Sequence, residues 1–238
     1  MRIIKYISII ILFISIQVYA QNNTEEYFKK GISKISSSDY KGAIQDFSQT
    51  IKIYPNFADA YYNRGFAKGN LKDYKGAIKD FNKAIEINPN YADAYYNRGF
   101  AKGYLKDYKG TIKDFNKAIE INHNYADAYF NRANAKVEFK DYKGAIEDFN
   151  KVIVINPHYA DAYFNRANAK GDLQDYRGAI EDFNKAIEIS PNNAMAYCIR
   201  GLSKIQLMDF NGACLDWTKA SNLGSNQASD YLKKFCNQ

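Results

Sequence analysis

From Tyr74 to about Asn88, the residues Tyr74, Ala77, Phe81, Ala84 and Ile85 gather on one side of a helix turning by about 100° per residue. Lys75, Lys79, Asn82, Lys83 and Glu86 gather on the other side and face water. A second helix is predicted before it, from Ala58 to about Leu71, with Tyr61, Gly65 and Lys68 on one stripe and Arg64 on its edge. Asn56 is the expected N-cap of that helix, and Asp59 suits the open amides of its first turn. Lys72 and Asp73 make the turn between the helices, Asp73 caps the second, and Pro89 prevents it from continuing. The unit is therefore helix, tight turn, helix.

The unit recurs. DAYYNR stands at 59–64 and 93–98, and DAYFNR at 127–132 and 161–166, each copy 34 residues after the last. Self-similarity runs from about Thr24 to Gln227, giving copies at 24–57, 58–91, 92–125, 126–159, 160–193 and 194–227. The second and third differ at only three places, Asn70/Tyr104, Ala77/Thr111 and Pro89/His123. A fixed period of this length implies stacked units, none of which buries its apolar face alone. Gly65 and Ala77 are small where two backbones must approach, and Phe81 is large where a gap must be filled. The fold class is all-α. Residues 228–238 read as a capping helix, with Tyr231 and Phe235 placed to cover the end of the stack.

This pattern resembles the tetratricopeptide repeat. An early aromatic, a small residue four later, then small, aromatic, small and proline are matched by Tyr61, Gly65, Ala77, Phe81, Ala84 and Pro89. The third copy reads Tyr95, Gly99, Thr111, Phe115, Ala118 and His123, and the last reads Tyr197, Gly201, Ala213, Trp217, Ala220 and Ser225. The resemblance covers nearly all of the chain after residue 23. It implies a right-handed solenoid of six helix-turn-helix repeats plus the capping helix, with the first helices lining the concave side. There are departures too. Where the family commonly has an aliphatic residue, this chain has Lys30, Arg64, Arg98, Arg132, Arg166 and Arg200, and an acid precedes each second-helix aromatic at Asp46, Asp80, Asp114, Asp148, Asp182 and Asp216. An unpaired guanidinium on a packing stripe is costly to bury, so Arg–Asp bridges within or between neighbouring repeats are predicted. Arginines that bind an anion are the alternative.

Asp59, Asn63, Phe66 and Asn70 occupy about a 60° wedge of the first helix that points away from Tyr61 and Gly65. Helix packing does not require them. If the first helices line a groove, its floor carries an amide row, Asn63, Asn97, Asn131 and Asn165, and an acidic row, Asp59, Asp93, Asp127 and Asp161. Tyr62, Tyr96, Phe130 and Phe164 flank both, and Asn134 and Asn168 extend the amide surface. Each asparagine has an acceptor and two donors for the backbone of an extended peptide. Similar asparagine ladders in the O-linked N-acetylglucosamine transferase superhelix hold peptide backbone. The lysine clamp of chaperone-tail-binding members is not expected, because Tyr62 and Phe130 stand at its positions. A polar surface passively copied by duplication is the alternative reading. The end copies lack the pattern, with Lys29 and Ile199 at the amide position.

The first residues differ in kind. Arg2 and Lys5 precede an apolar run from Ile7 to Ile16, and Val18, Tyr19 and Ala20 end it. The run is shorter than the ~20 residues that span a bilayer. Residues 1–20 are read as a secretory signal peptide cleaved after Ala20, with a retained anchor as the alternative. The expected location is exported, periplasmic or secreted, with no integral membrane segment after cleavage. The net charge of +7 includes Arg2 and Lys5, and its signs interleave, so no nucleic-acid partner is expected. Cys198, Cys214 and Cys236 read as small buried residues, although an exported chain could oxidise two of them. His123 and His158 lie in inter-repeat turns without a nucleophile or second ligand nearby, so no catalysis, cofactor or metal is expected. The expected function is an exported scaffold holding an extended peptide or partner segment. The alternative is an envelope-associated structural role in which Lys75, Lys79, Lys109 and Lys113 contact anionic lipid or polysaccharide.

Overall fold

A computed structural model describes residues 23–236. The predicted signal peptide lies outside them. All regular structure among the described residues is helical: α1 (23–36), α2 (Tyr40–Ile53), α3 (Ala58–Asn70), α4 (Tyr74–Ile87), α5 (Ala92–Tyr104), α6 (Tyr108–Ile121), α7 (Ala126–Glu138), α8 (Tyr142–Ile155), α9 (Ala160–Asp172), α10 (Tyr176–Ile189), α11 (Ala194–Gln206), α12 (Phe210–Asn222) and α13 (Asn226–Phe235). The chain forms two compact units that meet at Asn122 and His123. Consecutive helix pairs α1/α2, α3/α4 and α5/α6 build the first. The second contains α7/α8, α9/α10, α11/α12 and then α13. No helix among the described residues is long and apolar enough to cross a membrane.

After the C-cap residue of the first helix, Leu71 in α3, two residues complete each tight turn. The first adopts a left-handed conformation, as at Lys72 (φ 63°) and Lys106 (φ 62°). Lys72 N–H reaches Gly69 O and Asp73 N–H reaches Lys68 O, both at 2.9 Å, which closes the open carbonyls of α3. The second turn residue is the predicted aspartate, and Asp73 Oδ1 accepts from Gly76 N at 2.9 Å. Asp107 does the same for Gly110 at 3.0 Å, and replacing it with alanine should cost about 1 kcal/mol, read as a lower urea midpoint.

The other expected cap is corrected. Phe57, not Asn56, holds the N-cap position of α3, and it makes no side-chain cap bond. Tyr91, Tyr125 and Tyr159 do the same for α5, α7 and α9. Ring packing occupies the residue that would otherwise cap: Phe57 lies 4.8 Å from Phe28, and Tyr91 lies 4.9 Å from Tyr62. Among the described caps of first helices, only the one before α11 is an asparagine, Asn193, that caps with its side chain.

Phe47, Phe81, Phe115, Phe149, Phe183 and Trp217 are all buried, one in each repeat. A Cβ on Gly65 would lie 2.9 Å from Phe81 Cε1, so absence of a side chain is what lets this ring seat against α3. The predicted ion pairs form, and they lie within repeats. Arg64 donates through Nε and Nη2 to Asp80 at 2.9 and 2.7 Å, and Lys68 Nζ stands 2.7 Å from the same carboxylate. The same arrangement recurs at Arg98–Asp114–Lys102, Arg132–Asp148–Lys136, Arg166–Asp182–Lys170 and Arg200–Asp216–Lys204. The remaining nitrogen crosses to the preceding repeat: Arg64 Nη1 donates to Ser48 Oγ at 3.1 Å and Arg98 Nη1 to Asn82 Oδ1 at 2.7 Å. Each guanidinium also stands over the ring three residues earlier, as Arg98 does 5.2 Å from the centroid of Tyr95. This occupation displaces the anion-binding alternative. The first copy departs, because Lys30 pairs with Glu26 and Asp46 takes Lys34 instead.

At the C-terminus, Tyr231 and Phe235 of α13 pack on Trp217 at 5.1 and 5.6 Å, closing the end of the stack as expected. The cysteine reading is corrected in part. Cys198 is buried and free, but Cys214 and Cys236 form a disulfide between α12 and the residue that ends α13. Packing of these two helices brings Cα atoms separated by 22 positions to 5.9 Å, within disulfide reach.

Candidate functional site

The first unit supplies α3 and α5. Asn63 Nδ2 donates to Asp59 O at 2.7 Å, one helical turn back, and Asn70 Nδ2 donates to Phe66 O at 3.0 Å. Asn97 donates to Asp93 O at 2.9 Å and to the Tyr62 hydroxyl at 3.1 Å. These bonds hold the amides in one rotamer and engage one N–H of Asn63 and of Asn70 and both N–H groups of Asn97. Oδ1 of Asn63, Asn70 and Asn97 accepts no hydrogen bond among the described residues. The surface is thus richer in acceptors than the sequence reading expected.

In the second unit, Asn131 Nδ2 donates to Asp127 O at 2.9 Å, and Asn165 Nδ2 donates to Asn134 Oδ1 at 3.2 Å. Asn134 thereby joins the amide row. Asn168 lies elsewhere, in a cleft between α9 and α11 of about 390 Å³ that also includes Asp172, Tyr176, Leu202 and Gln206.

Asp59, Asp93, Asp127 and Asp161 are all exposed. The structure adds tyrosines from the inter-repeat turns that the sequence reading missed. Tyr91 bonds through its hydroxyl to Asp59, and Tyr159 OH approaches Asp127 Oδ1 at 3.5 Å. Burial raises the Tyr91 hydroxyl well above its ordinary pKa, and the bond to Asp59 adds to the rise. Tyr159 is raised by burial first and by the Asp127 charge second. The recurrence of an aromatic at 57, 91, 125 and 159 was the available signal.

The four aromatics expected to flank the rows are engaged in packing. Tyr62 lies 5.9 Å from Phe81 and 4.9 Å from Tyr91, and Phe130 lies 5.8 Å from Phe149 and 5.0 Å from Tyr159. Tyr96 and Phe164 sit on Phe115 and Phe183 at 5.6 and 5.7 Å. Burial, then the Asp93 charge, pushes the Tyr62 hydroxyl up to about 12, while the bond from Asn97 pulls the other way. These rings thus pack on the buried aromatic of their own repeat. Among the described residues, no group of three His, Cys, Asp or Glu side chains could hold a metal ion.

Comparison with known proteins agrees with the fold. The family model described as tetratricopeptide repeat matches residues 58–91, 92–125, 126–159 and 160–193, and one described as TPR repeat matches 34–72. No curated protein matches the chain. Among solved structures, MamA is 26% identical, with a TM-score of 0.67, over 74% of this chain and 96% of that one. YrrB, described as a TPR protein with an unusual peptide-binding site, is 20% identical at a TM-score of 0.71, covering 79% and 97% of the two chains. PilF of Pseudomonas aeruginosa is 16% identical at a TM-score of 0.75, covering 90% and 99%. The likeness to YrrB and PilF concerns the fold alone. Matched over more than half its length, repeat after repeat, the chain belongs to the tetratricopeptide repeat family.

Proposed function

We propose that the chain is an exported scaffold whose first helices hold an extended peptide or partner segment. One observation carries the reading: Asn63, Asn97, Asn131 and Asn165 hold the same position of the first helix in four consecutive repeats, each half-buried and each held by a hydrogen bond. Pinned amides lose little entropy on binding, which favours affinity. Their Oδ1 atoms suit the N–H groups of an extended backbone, and the exposed aspartates beside them favour a partner carrying Lys or Arg. No reaction is assigned to this surface.

Two features support export. The charged start and apolar run of residues 1–20 have the layout of a secretory leader. The Cys214–Cys236 disulfide is of the kind that persists in oxidising compartments. The lysine-bearing second helices favour an envelope contact less, because Lys83, Lys117 and Lys185 each pair with a glutamate three residues on.

The test is Asn97→Ala combined with Asn131→Ala. Two lost hydrogen bonds of ~1 kcal/mol each give roughly a 30-fold weaker Kd for partners captured from the exported fraction, with helical circular dichroism unchanged. Capture at wild-type strength would remove the asparagine row from recognition. Capture that collapses at high salt for both proteins would favour the envelope role instead.

A further inference from the structure

A second cleft lies wholly within the first unit, between α3, the start of α4, and α5. It encloses about 320 Å³ and is lined by Phe66, Asn70, Tyr74, Asn97, Phe100 and Tyr104 among others. Its aromatic wall is already a stack. The Tyr74 and Tyr104 rings are 4.5 Å apart and nearly parallel, at 4°, and Phe100 meets Tyr104 edge-on at 5.1 Å and 75°. Folding leaves these rings half in water, with Phe100 43% and Tyr104 57% exposed. Nothing in the repeat demands Tyr104. The preceding copy, otherwise almost identical, has Asn70 there.

We infer that this cleft is a subsite for a tryptophan side chain of the bound peptide. The inference rests on the scaffold reading and names a residue of its ligand. Three features select that occupant. A flat ring can extend the Tyr74–Tyr104 stack and cover apolar surface left wet by folding. The polar groups favour a donor: Asn97 has both amide hydrogens engaged, with Asp93 O and Tyr62 OH, and offers Oδ1, while Asn70 offers Oδ1 beside the one N–H that Phe66 O does not hold. An indole supplies both the ring and one N–H. Finally, Lys72 is the only charged residue lining the cleft, and its ammonium disfavours a lysine or arginine occupant while attracting the face of an aromatic ring.

The matching cleft of the second unit differs in this respect. It has Asn168 and Leu202 where Phe66 and Phe100 stand, and Asp172 and Gln206 where Asn70 and Tyr104 stand. The tryptophan subsite therefore belongs to the first unit alone.

The probe is N-acetyl-5-fluorotryptophanamide, titrated into the full chain and followed by fluorine NMR. Tyr104→Asn and Phe100→Asn introduce the residues that stand at those positions in the second and fourth copies, so each variant carries a side chain the repeat already accommodates. Each should weaken probe binding at least fivefold, while Asn168→Ala in the second unit leaves it unchanged. The 1-methylindole analogue, which has lost its N–H, should bind at least threefold more weakly, and the leucine and lysine amides weaker still. No binding to the wild-type chain, equal binding to Tyr104→Asn, or equal binding of the methylated analogue would each overturn the assignment. The probe reads the cleft directly. A wild-type chain that binds the probe but captures no partner would therefore sink the scaffold reading and leave the subsite standing.

Discussion

Asp114→Ala is expected to lower stability by about 3–5 kcal/mol, the scale seen when one partner of a buried ion pair is removed. Asp114 is 2% exposed and receives two bonds from Arg98 and a third contact from Lys102, whose side chains keep only 16% and 21% of their accessibility. Removing the carboxylate leaves two cations in a partly desolvated place with no counter-charge. Their own pairing is not the point, because a buried ion pair is often no better than a hydrophobic replacement. Leucine at 98, 102 and 114 together should therefore recover most of the loss. Urea unfolding of both variants checks this. A cost below about 1 kcal/mol for Asp114→Ala would show that water or another anion reaches the site, and the cluster would no longer count as structural.

Reducing the Cys214–Cys236 disulfide should destabilise the second unit by about 3 kcal/mol, the chain-entropy value for a loop of this length. The effect concentrates on α13. That helix has one buried residue, Ala228, and otherwise holds on through Tyr231, Leu232, Phe235, the Ser221–Ser229 hydrogen bond and the disulfide. Without the cross-link its release would uncover Trp217, the largest fully buried side chain among the described residues. Thermal unfolding with and without dithiothreitol measures the cost, and amide exchange in α13 locates it. Exchange that stays slow in the reduced protein would mean that ring packing alone secures the end of the stack.

Why these features differed in legibility is a question of range. Helix, turn and period are local, set by spacings of three and four residues and by one aspartate per turn, so Tyr74, Phe81 and Asp73 announce their roles in the chain itself. Long-range pairings were legible only where the repeat printed them again and again. Arg64 and Asp80 lie 16 positions apart, and their recurrence in each later copy gave the pairing away. The turn tyrosines escaped notice although an aromatic recurs at 57, 91, 125 and 159, because recurrence alone does not name the partner. Tyr91 reads as a loop residue until the next repeat folds back and places it against Tyr62 and Asp59.

The amino-acid order by itself determined the all-helical repeat, the small-against-large packing and the need to neutralise a buried guanidinium, since each is a property of neighbours along one or two helices. Only the tertiary structure decided which atoms the asparagines leave available, which cysteines join and where the wet aromatic cleft of the first unit opens. Those outcomes depend on distances between side chains from different helices, and a hydrogen bond or a ring stack is won or lost within about an ångström.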